Sequence, residues 1–130
     1  MRFMMFMLPN ISEAEWQEGP TEEAAKPMSK YNESLEKAGV LLDVNGLHSQ
    51  GEGARVVFEQ GKSHVVDGPF TEAKEAVGGY WLIQTKSRDE AIEWAKRVPA
   101  VHENFTIEVR QVFEAEDLPE EVQRYATPRS

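Results

Sequence analysis

Apolar segments with two different periodicities alternate along this chain, and their order constrains the fold more than any other feature. Strands are predicted where apolar residues are continuous or alternate with polar ones, over residues 2–8, 40–44, 80–85 and 105–113. Apolar residues at helical spacing predict helices over residues 21–39 and 88–98. With an inserted hairpin set aside, the order is β-α-β-β-α-β, which is the ferredoxin-like arrangement of α+β proteins. We therefore predict an antiparallel sheet with both helices on one face.

The ends of the two predicted helices carry capping signals. Thr21 is a predicted N-cap, and the helix after it is either kinked by Pro27 or begins there. Gly39 is a predicted C-terminal stop. Ser87 and Glu90 have the spacing of a capping box, which predicts the start of the second helix.

The inserted segment is predicted to be a β-hairpin. Residues 54–59 and 62–67 flank Gln60-Gly61, a two-residue turn with glycine where a positive φ is needed. Opposite charges and apolar side chains that face each other across the strands favour the register of this turn. That register pairs Glu59 with Lys62, Val57 with His64, and Val56 with Val65.

The predicted helices leave the other face of the sheet uncovered. Its strands are rich in Phe, Met, Trp and Val. A large apolar face is not expected to remain in water. We therefore predict that the chain forms a homodimer through this face.

Composition excludes several classes of function. The 130 residues correspond to one domain, and the absence of cysteine excludes a disulfide scaffold, thiol catalysis and a thiolate metal site. It also fits a reducing cytoplasm. The formal charge of −9 predicts no direct nucleic-acid binding, because an acidic surface repels phosphates. No segment approaches the roughly 20 apolar residues of a membrane span, so we expect no membrane association.

The segment 67–75, DGPFTEAKE, combines a sharp turn with a dense set of charged groups. Gly68 and Pro69 predict the turn, because proline fixes its own φ and restricts the residue before it. Such a turn places Asp67, Glu72 and Lys74 near one another at the edge of a sheet. Small domains often build their sites at turns of this kind.

His48 and Asp67 are the predicted catalytic residues. His48 follows a glycine-containing loop and could act as a general base near neutral pH. The alternative is a surface or loop-capping histidine. Asp67 could orient that histidine or act as an acid, and the alternative is a local hydrogen bond of the kind that aspartate makes before a turn.

Six further residues are predicted to bind a ligand: Arg55, Phe70, Glu72, Lys74, Tyr31 and Trp81. Arg55 could bind a carboxylate or a phosphate through its planar guanidinium. Glu72 and Lys74 could contact a polar ligand. Exposed surface positions are the alternative for all three charged side chains. The tyrosine and the tryptophan could line an apolar pocket, with packing in the core as the alternative.

No metal or cofactor is predicted. The histidines His48, His64 and His102 are scattered without ligand spacing. The glycine-rich connection 45–53 matches neither the dinucleotide-binding nor the P-loop pattern, and no helix follows it.

The turn segment 67–75, with Gly79 and the strand beginning Tyr80-Trp81-Leu82, resembles the signature of the YCII-related, DGPF-type family. Further blocks resemble this family in the same order, at residues 28–33, 38–42, 46–49, 89–97 and 107–113. The resemblance covers about residues 1–117 and leaves a C-terminal tail, 118–130.

This resemblance implies a bacterial, cytoplasmic protein whose ferredoxin-like subunits form a dimeric α/β barrel. It also implies a link to transcription, because members are sometimes encoded or fused with extracytoplasmic-function sigma factors. Relatives in the wider group carry a His–Asp pair in a cleft, for which His48 and Asp67 are the candidates here.

Three hypotheses about function follow. The favoured one is a small dimeric enzyme or ligand-binding protein with a polar cleft near His48 and Asp67. The second is an interaction module that binds a sigma factor or another protein. The third is a purely structural dimer in which the turn at 67–70 serves only folding.

Overall fold

A computed structural model of the chain describes residues 1–126. It has α+β architecture, with strands and helices that follow one another in the order β1 (Arg2–Leu8), α1 (Glu13–Glu18), α2 (Glu22–Lys37), β2 (Leu41–Gly46), β3 (Ala54–Glu59), β4 (Lys62–Asp67), β5 (Gly79–Gln84), α3 (Arg88–Lys96), β6 (Thr106–Gln111) and α4 (Glu120–Gln123).

The main sheet confirms the predicted ferredoxin-like fold. Its four strands lie in the order β2-β5-β1-β6, and every neighbouring pair is antiparallel. Burial alternates along β1, where Phe3, Met5 and Met7 are buried while Met4 and Phe6 are half-buried. This period of two directs one face of the sheet into the core and leaves the other face on the surface.

The hairpin β3-β4 forms a separate two-stranded sheet. All three predicted cross-strand pairs are confirmed, from Glu59 opposite Lys62 to Val56 opposite Val65. Gln60 and Gly61 both have positive φ, as a two-residue hairpin turn requires.

The predicted N-caps of the two long helices are also confirmed, whereas the capping box predicted at Ser87 and Glu90 is formed only in part, because the Glu90 carboxylate accepts from the N–H of Lys86 instead of that of Ser87. The Thr21 hydroxyl accepts a hydrogen bond from the backbone N–H of Ala24 at 3.2 Å, so α2 starts at Glu22 and contains Pro27. At the start of α3, the Ser87 hydroxyl accepts a bond from the Glu90 N–H at 3.1 Å.

The core lies between the main sheet and helices α2 and α3. Leu35 from α2 and Ala91 from α3 are completely buried against the sheet. The largest fully buried side chains are Phe3, Met5, Leu35 and Ile83. Within residues 1–126, no helix has both the length and the apolar character needed to cross a membrane.

The phenol of Tyr31 is buried in this core and donates a hydrogen bond to the carbonyl oxygen of Trp94 at 2.7 Å. Burial raises the pKa of Tyr31, because the charged phenolate loses its hydration there; Arg97 opposes the shift by a smaller amount. The contribution of the protonated Tyr31 phenol to the free energy of unfolding is fully present below the unfolded-state pKa of about 10. It decreases above that pH, because the unfolded chain loses the proton first.

We expect Tyr31→Phe to be less stable than the wild type near neutral pH by about 1 kcal/mol, the typical net value of one hydrogen bond. Above pH 10 the difference should shrink by about 1.4 kcal/mol per pH unit, because phenylalanine does not ionise. Urea unfolding of the wild type and of Tyr31→Phe at several pH values from 7 to 11 measures how the free energy of unfolding of each protein changes with pH. Parallel pH profiles for the two proteins would contradict a raised tyrosine pKa.

The tail turns back onto the first strand. Arg2 forms a bidentate ion pair with Glu114, in which Nε donates to Oε1 at 2.8 Å and Nη2 donates to Oε2 at 3.1 Å. A short helix, α4, follows over Glu120–Gln123. For the polar segment 114–130 the sequence predicts a short helix or an arm that packs on a partner, and residues 127–130 lie outside the described part of the chain.

Candidate functional site

The turn after β4 is held by one side chain, that of Gln50, which precedes the hairpin. Its Oε1 accepts hydrogen bonds from the backbone N–H groups of Phe70 and Thr71, both at 2.9 Å. Its Nε2 donates to the carbonyl oxygen of Thr71 at 2.8 Å. Because one amide satisfies three backbone groups, it fixes the turn against the loop that follows β2.

Gly68 allows the turn to approach that loop closely. Its N–H donates to the carbonyl oxygen of Gly53 at 3.0 Å, and its peptide bond to Pro69 is cis. A Cβ atom at Gly68 would overlap the carbonyl oxygen of Gln50 and lie 3.1 Å from the ring of Phe70. Glycine is therefore required here by the close contact of two backbone segments.

Helix α1 supports the same loop from the other side. The indole Nε1 of Trp16 donates to the carbonyl oxygen of Leu47 at 3.1 Å. The amide of Gln17 donates to the hydroxyl of Ser49 at 2.9 Å. These bonds hold the loop between α1 and the turn, so the backbone that carries the side chains of the loop is fixed in position.

A cleft of about 420 Å³ opens between this loop, the base of the hairpin and the segment 70–77, and we call it the Arg55 cleft. Its volume is within the range of small-molecule sites. Part of its lining is apolar, from Leu47, Phe70, Ala76 and Val77. Another part is ionisable, from His48, Glu52, Arg55 and Glu75.

Arg55 lies over the ring of Phe70, with its guanidinium carbon 4.1 Å from the ring centroid. A cation on an aromatic face is attracted by the ring quadrupole. The side chain of Arg55 is exposed, and within residues 1–126 it makes no ion pair or hydrogen bond, so its N–H groups are accessible to solvent. The cleft therefore presents a planar set of N–H donors without a protein acceptor.

His48 lies on the rim of the cleft. Its side chain is 90% exposed, and its Nδ1 lies 3.3 Å from Oε2 of Glu52. The described part of the chain contains no hydrogen bond or ion pair between His48 and Asp67. Asp67 is exposed at the end of β4, opposite Ala54, and does not line the cleft.

The structure brings three of the predicted site residues together in the cleft, namely His48, Arg55 and Phe70. Glu72 and Lys74 instead form an exposed ion pair at 3.5 Å outside it. The remaining two predicted ligand-binding residues, Tyr31 and Trp81, lie in the core.

Tyr31 and Trp81 pack against each other edge to face, with their ring centroids 5.6 Å apart. Both are buried, and the indole Nε1 of Trp81 donates to Oδ1 of Asn32 at 2.7 Å. The cleft lining includes neither of them. Their contacts correspond to the core-packing alternative.

Sequence reasoning missed the polar and ionisable lining residues Ser49, Gln50, Glu52, Thr71 and Glu75, and also the apolar ones Leu47, Ala76 and Val77. No local pattern identifies Gln50, because its partners lie about 20 residues further along the chain. The four-residue spacing of His48 and Glu52 was a usable signal, since it places the two side chains in reach across a short turn.

The arrangement combines an apolar floor with both signs of charge. It can hold a small molecule by its apolar part while fixing polar groups at the rim. Within residues 1–126, no group of three or more His, Asp or Glu side chains is arranged to bind a metal ion.

Comparison of the sequence with known proteins finds a matching family model and an uncharacterised relative. The family model described as the YCII-related domain matches residues 1–116. An uncharacterised protein of Rhizobium meliloti strain 1021 is 32% identical over 81 residues, which is 62% of this chain and 65% of that protein. The match thus spans slightly less than two thirds of the relative's length.

Proposed function

Because the chain belongs to the YCII-related domain family, we propose that it is a small-molecule-binding protein whose ligand lies in the Arg55 cleft. The observation that carries this proposal is the unpaired guanidinium of Arg55, stacked on Phe70 at 4.1 Å beside an apolar floor. Arg55 is exposed, so water solvates its guanidinium, and a carboxylate or phosphate of a ligand can replace that water by accepting two parallel N–H bonds.

Catalysis by His48 is a finer proposal about the same site. An exposed imidazole beside a carboxylate suits a general base, and Glu52 occupies the orienting position that was predicted for Asp67. Asp67 would then act on a ligand that extends beyond the cleft towards β4. The close contact at Gly68 supports the turn's role in folding, whichever of these roles Asp67 has.

We also propose that the protein is a homodimer. The face of the main sheet opposite the helices carries the half-buried apolar side chains Met4, Phe6 and Leu82 in neighbouring positions. Packing that face against a second copy would remove it from water. The Arg55 cleft lies on a different part of the chain, so ligand binding and dimerisation should be separable by mutation.

A thermal-shift screen of the purified protein against a metabolite library tests the ligand proposal. We expect at least one compound to raise Tm by on the order of 5 °C at a hundredfold excess over Kd. His48→Ala should abolish that shift, and His64→Ala is the matched control, because His64 lies on the hairpin away from the cleft.

Asp67→Ala completes the set. Loss of the shift in this variant would place Asp67 in the site, and an unchanged shift would assign it to the turn alone. His48→Ala and Asp67→Ala should both remain dimers, as measured by light scattering. Dissociation of both would count against a site role for His48 and Asp67.

The hairpin favours one alternative, an interaction module. Val56, Phe58 and Val65 share one face of the hairpin and are 55%, 77% and 66% exposed. An extracytoplasmic-function sigma factor is the partner that the sequence resemblance implies. An empty screen on a folded dimer, together with co-purification of such a sigma factor that Phe58→Ser abolishes, would establish this alternative instead.

A further inference from the structure

We propose that the ligand of the Arg55 cleft is a small zwitterion, a molecule that carries a carboxylate and an ammonium group on an apolar body, as an apolar amino acid does. This inference rests on the proposed function and specifies the chemical class of the ligand. It follows from the charges that line the cleft and from the partners those charges already have.

The carboxylate of the ligand has a partner in Arg55. Stacking on Phe70 fixes the plane of the guanidinium and leaves its N–H edge available. A fork of parallel N–H donors matches a carboxylate in geometry and in charge. The described residues provide no other acceptor for this edge, because no carboxylate in residues 1–126 lies within 4.0 Å of Arg55.

The ammonium group of the ligand has partners in Glu52 and Glu75. Glu75 uses Oε2 to accept a hydrogen bond from the Thr71 hydroxyl at 3.2 Å. Glu52 uses Oε2 to face Nδ1 of His48 at 3.3 Å. Each carboxylate keeps a second oxygen that has no hydrogen bond within the described residues, and an ammonium group with three donors fits such acceptors.

The balance of charge favours a ligand that carries both signs over a simple ion. Apart from His48, the lining carries one positive charge, on Arg55, and two negative charges, on Glu52 and Glu75. A simple anion would meet a lining of net negative charge on a chain of formal charge −9. A simple cation would leave Arg55 without a partner. A zwitterion satisfies both signs and adds no net charge.

The apolar floor accounts for the rest of the ligand. Leu47 and Val77 are exposed, and the buried Ala76 also contributes to the lining. Covering such side chains with an apolar ligand gains the usual hydrophobic free energy. A cleft of about 420 Å³ is large enough for a leucine or phenylalanine molecule.

Titration calorimetry with matched compounds tests the inference. L-leucine is compared with 4-methylpentanoate, which lacks the amine, and with 3-methylbutylamine, which lacks the carboxylate. L-phenylalanine, 3-phenylpropanoate and 2-phenylethylamine form the second set. We expect at least one amino acid to bind about tenfold or more tightly than both of its truncated analogues, the least expected from one charge-assisted hydrogen bond.

Two variants assign the charges. Arg55→Gln should lower the affinity for the amino acid to that for its amine analogue, and Glu75→Gln should lower it towards that for the acid analogue. Arg124→Gln and Glu72→Gln are matched controls, because both residues are exposed and lie outside the cleft, and Arg124, like Arg55, is stacked on an aromatic ring. The controls should leave both affinities unchanged.

Failure of this inference is distinguishable from failure of the proposed function. If library compounds bind and His48→Ala abolishes their binding, but no amino acid binds more tightly than its analogues, the zwitterion is wrong and the cleft remains a ligand site. Equal binding of an amino acid by the wild type and Arg55→Gln overturns the inference as well. If neither the library nor the matched compounds bind, both proposals are wrong.

Discussion

Trp81→Ala should lower the free energy of unfolding by about 3–5 kcal/mol, the largest effect that we expect from a single substitution in this protein. The indole is 4% exposed and packs edge to face on Tyr31. Its Nε1 also donates to Oδ1 of Asn32 at 2.7 Å, so truncation leaves a cavity and removes the donor of a half-buried acceptor. Urea unfolding followed by far-UV circular dichroism measures the loss.

Trp81→Phe separates the two contributions. Phenylalanine keeps most of the apolar volume and loses the N–H donor, so we expect a smaller cost of about 1–3 kcal/mol. Ligand affinity, measured on the folded protein, should be unchanged in this variant because Trp81 does not line the cleft. A weakened affinity at unchanged stability would instead make Trp81 a binding residue, as the sequence predicted.

Gly68→Ala should destabilise the protein by about 1–3 kcal/mol, as is typical when a side chain is forced into occupied space. The new Cβ would overlap the carbonyl oxygen of Gln50, which belongs to the backbone and cannot rotate away. The turn and the loop must then separate. That movement breaks the three hydrogen bonds made by the Gln50 side chain.

The same substitution should also abolish ligand binding, because the turn and the loop are two walls of the Arg55 cleft. Gly46→Ala is the matched control, since a Cβ at that position meets nothing within 4 Å. Chemical denaturation and the thermal-shift assay are run on both variants. If Gly68→Ala matched Gly46→Ala in stability and in ligand response, the close contact at Gly68 would be unimportant.

The sequence predicted the elements whose cause is local. The hairpin register follows from the Gln60-Gly61 turn and its facing side chains, and both are neighbours along the chain. The N-caps at Thr21 and Ser87 act within four residues of themselves. The ferredoxin-like order follows from the periodicities of the strands and helices.

Residues 12–19 form a polar stretch in the sequence, so no helix is predicted where the structure has α1. Its six residues lack an apolar face and are too few for a clear helical period. The spacing of Ser12 and Glu15 was a usable signal, because the Ser12 hydroxyl accepts a bond from the Glu15 N–H at 3.1 Å. The helix bonds to the loop after β2, and that contact is made only in the folded chain.

The candidate site was predicted in part for the same reason. The turn at 67–70 was identified from Gly68 and Pro69, and Arg55 and Phe70 were among the proposed ligand contacts. The pairing of His48 with Glu52, rather than with Asp67, depends on how the loop folds. Burial decided the positions of Tyr31 and Trp81, because a strand or helix pattern shows that a residue faces inward but not what it meets there.

The sequence by itself determined the fold class, the hairpin register and the place of the turn, because these depend on backbone preferences and periodicity over a few residues. Only the tertiary structure decided which side chains share a cleft. The amide of Gln50 reaches a turn about 20 residues away, and Arg55 of β3 lies on Phe70 of that same turn. Contacts across such separations arise from packing, which no local pattern encodes.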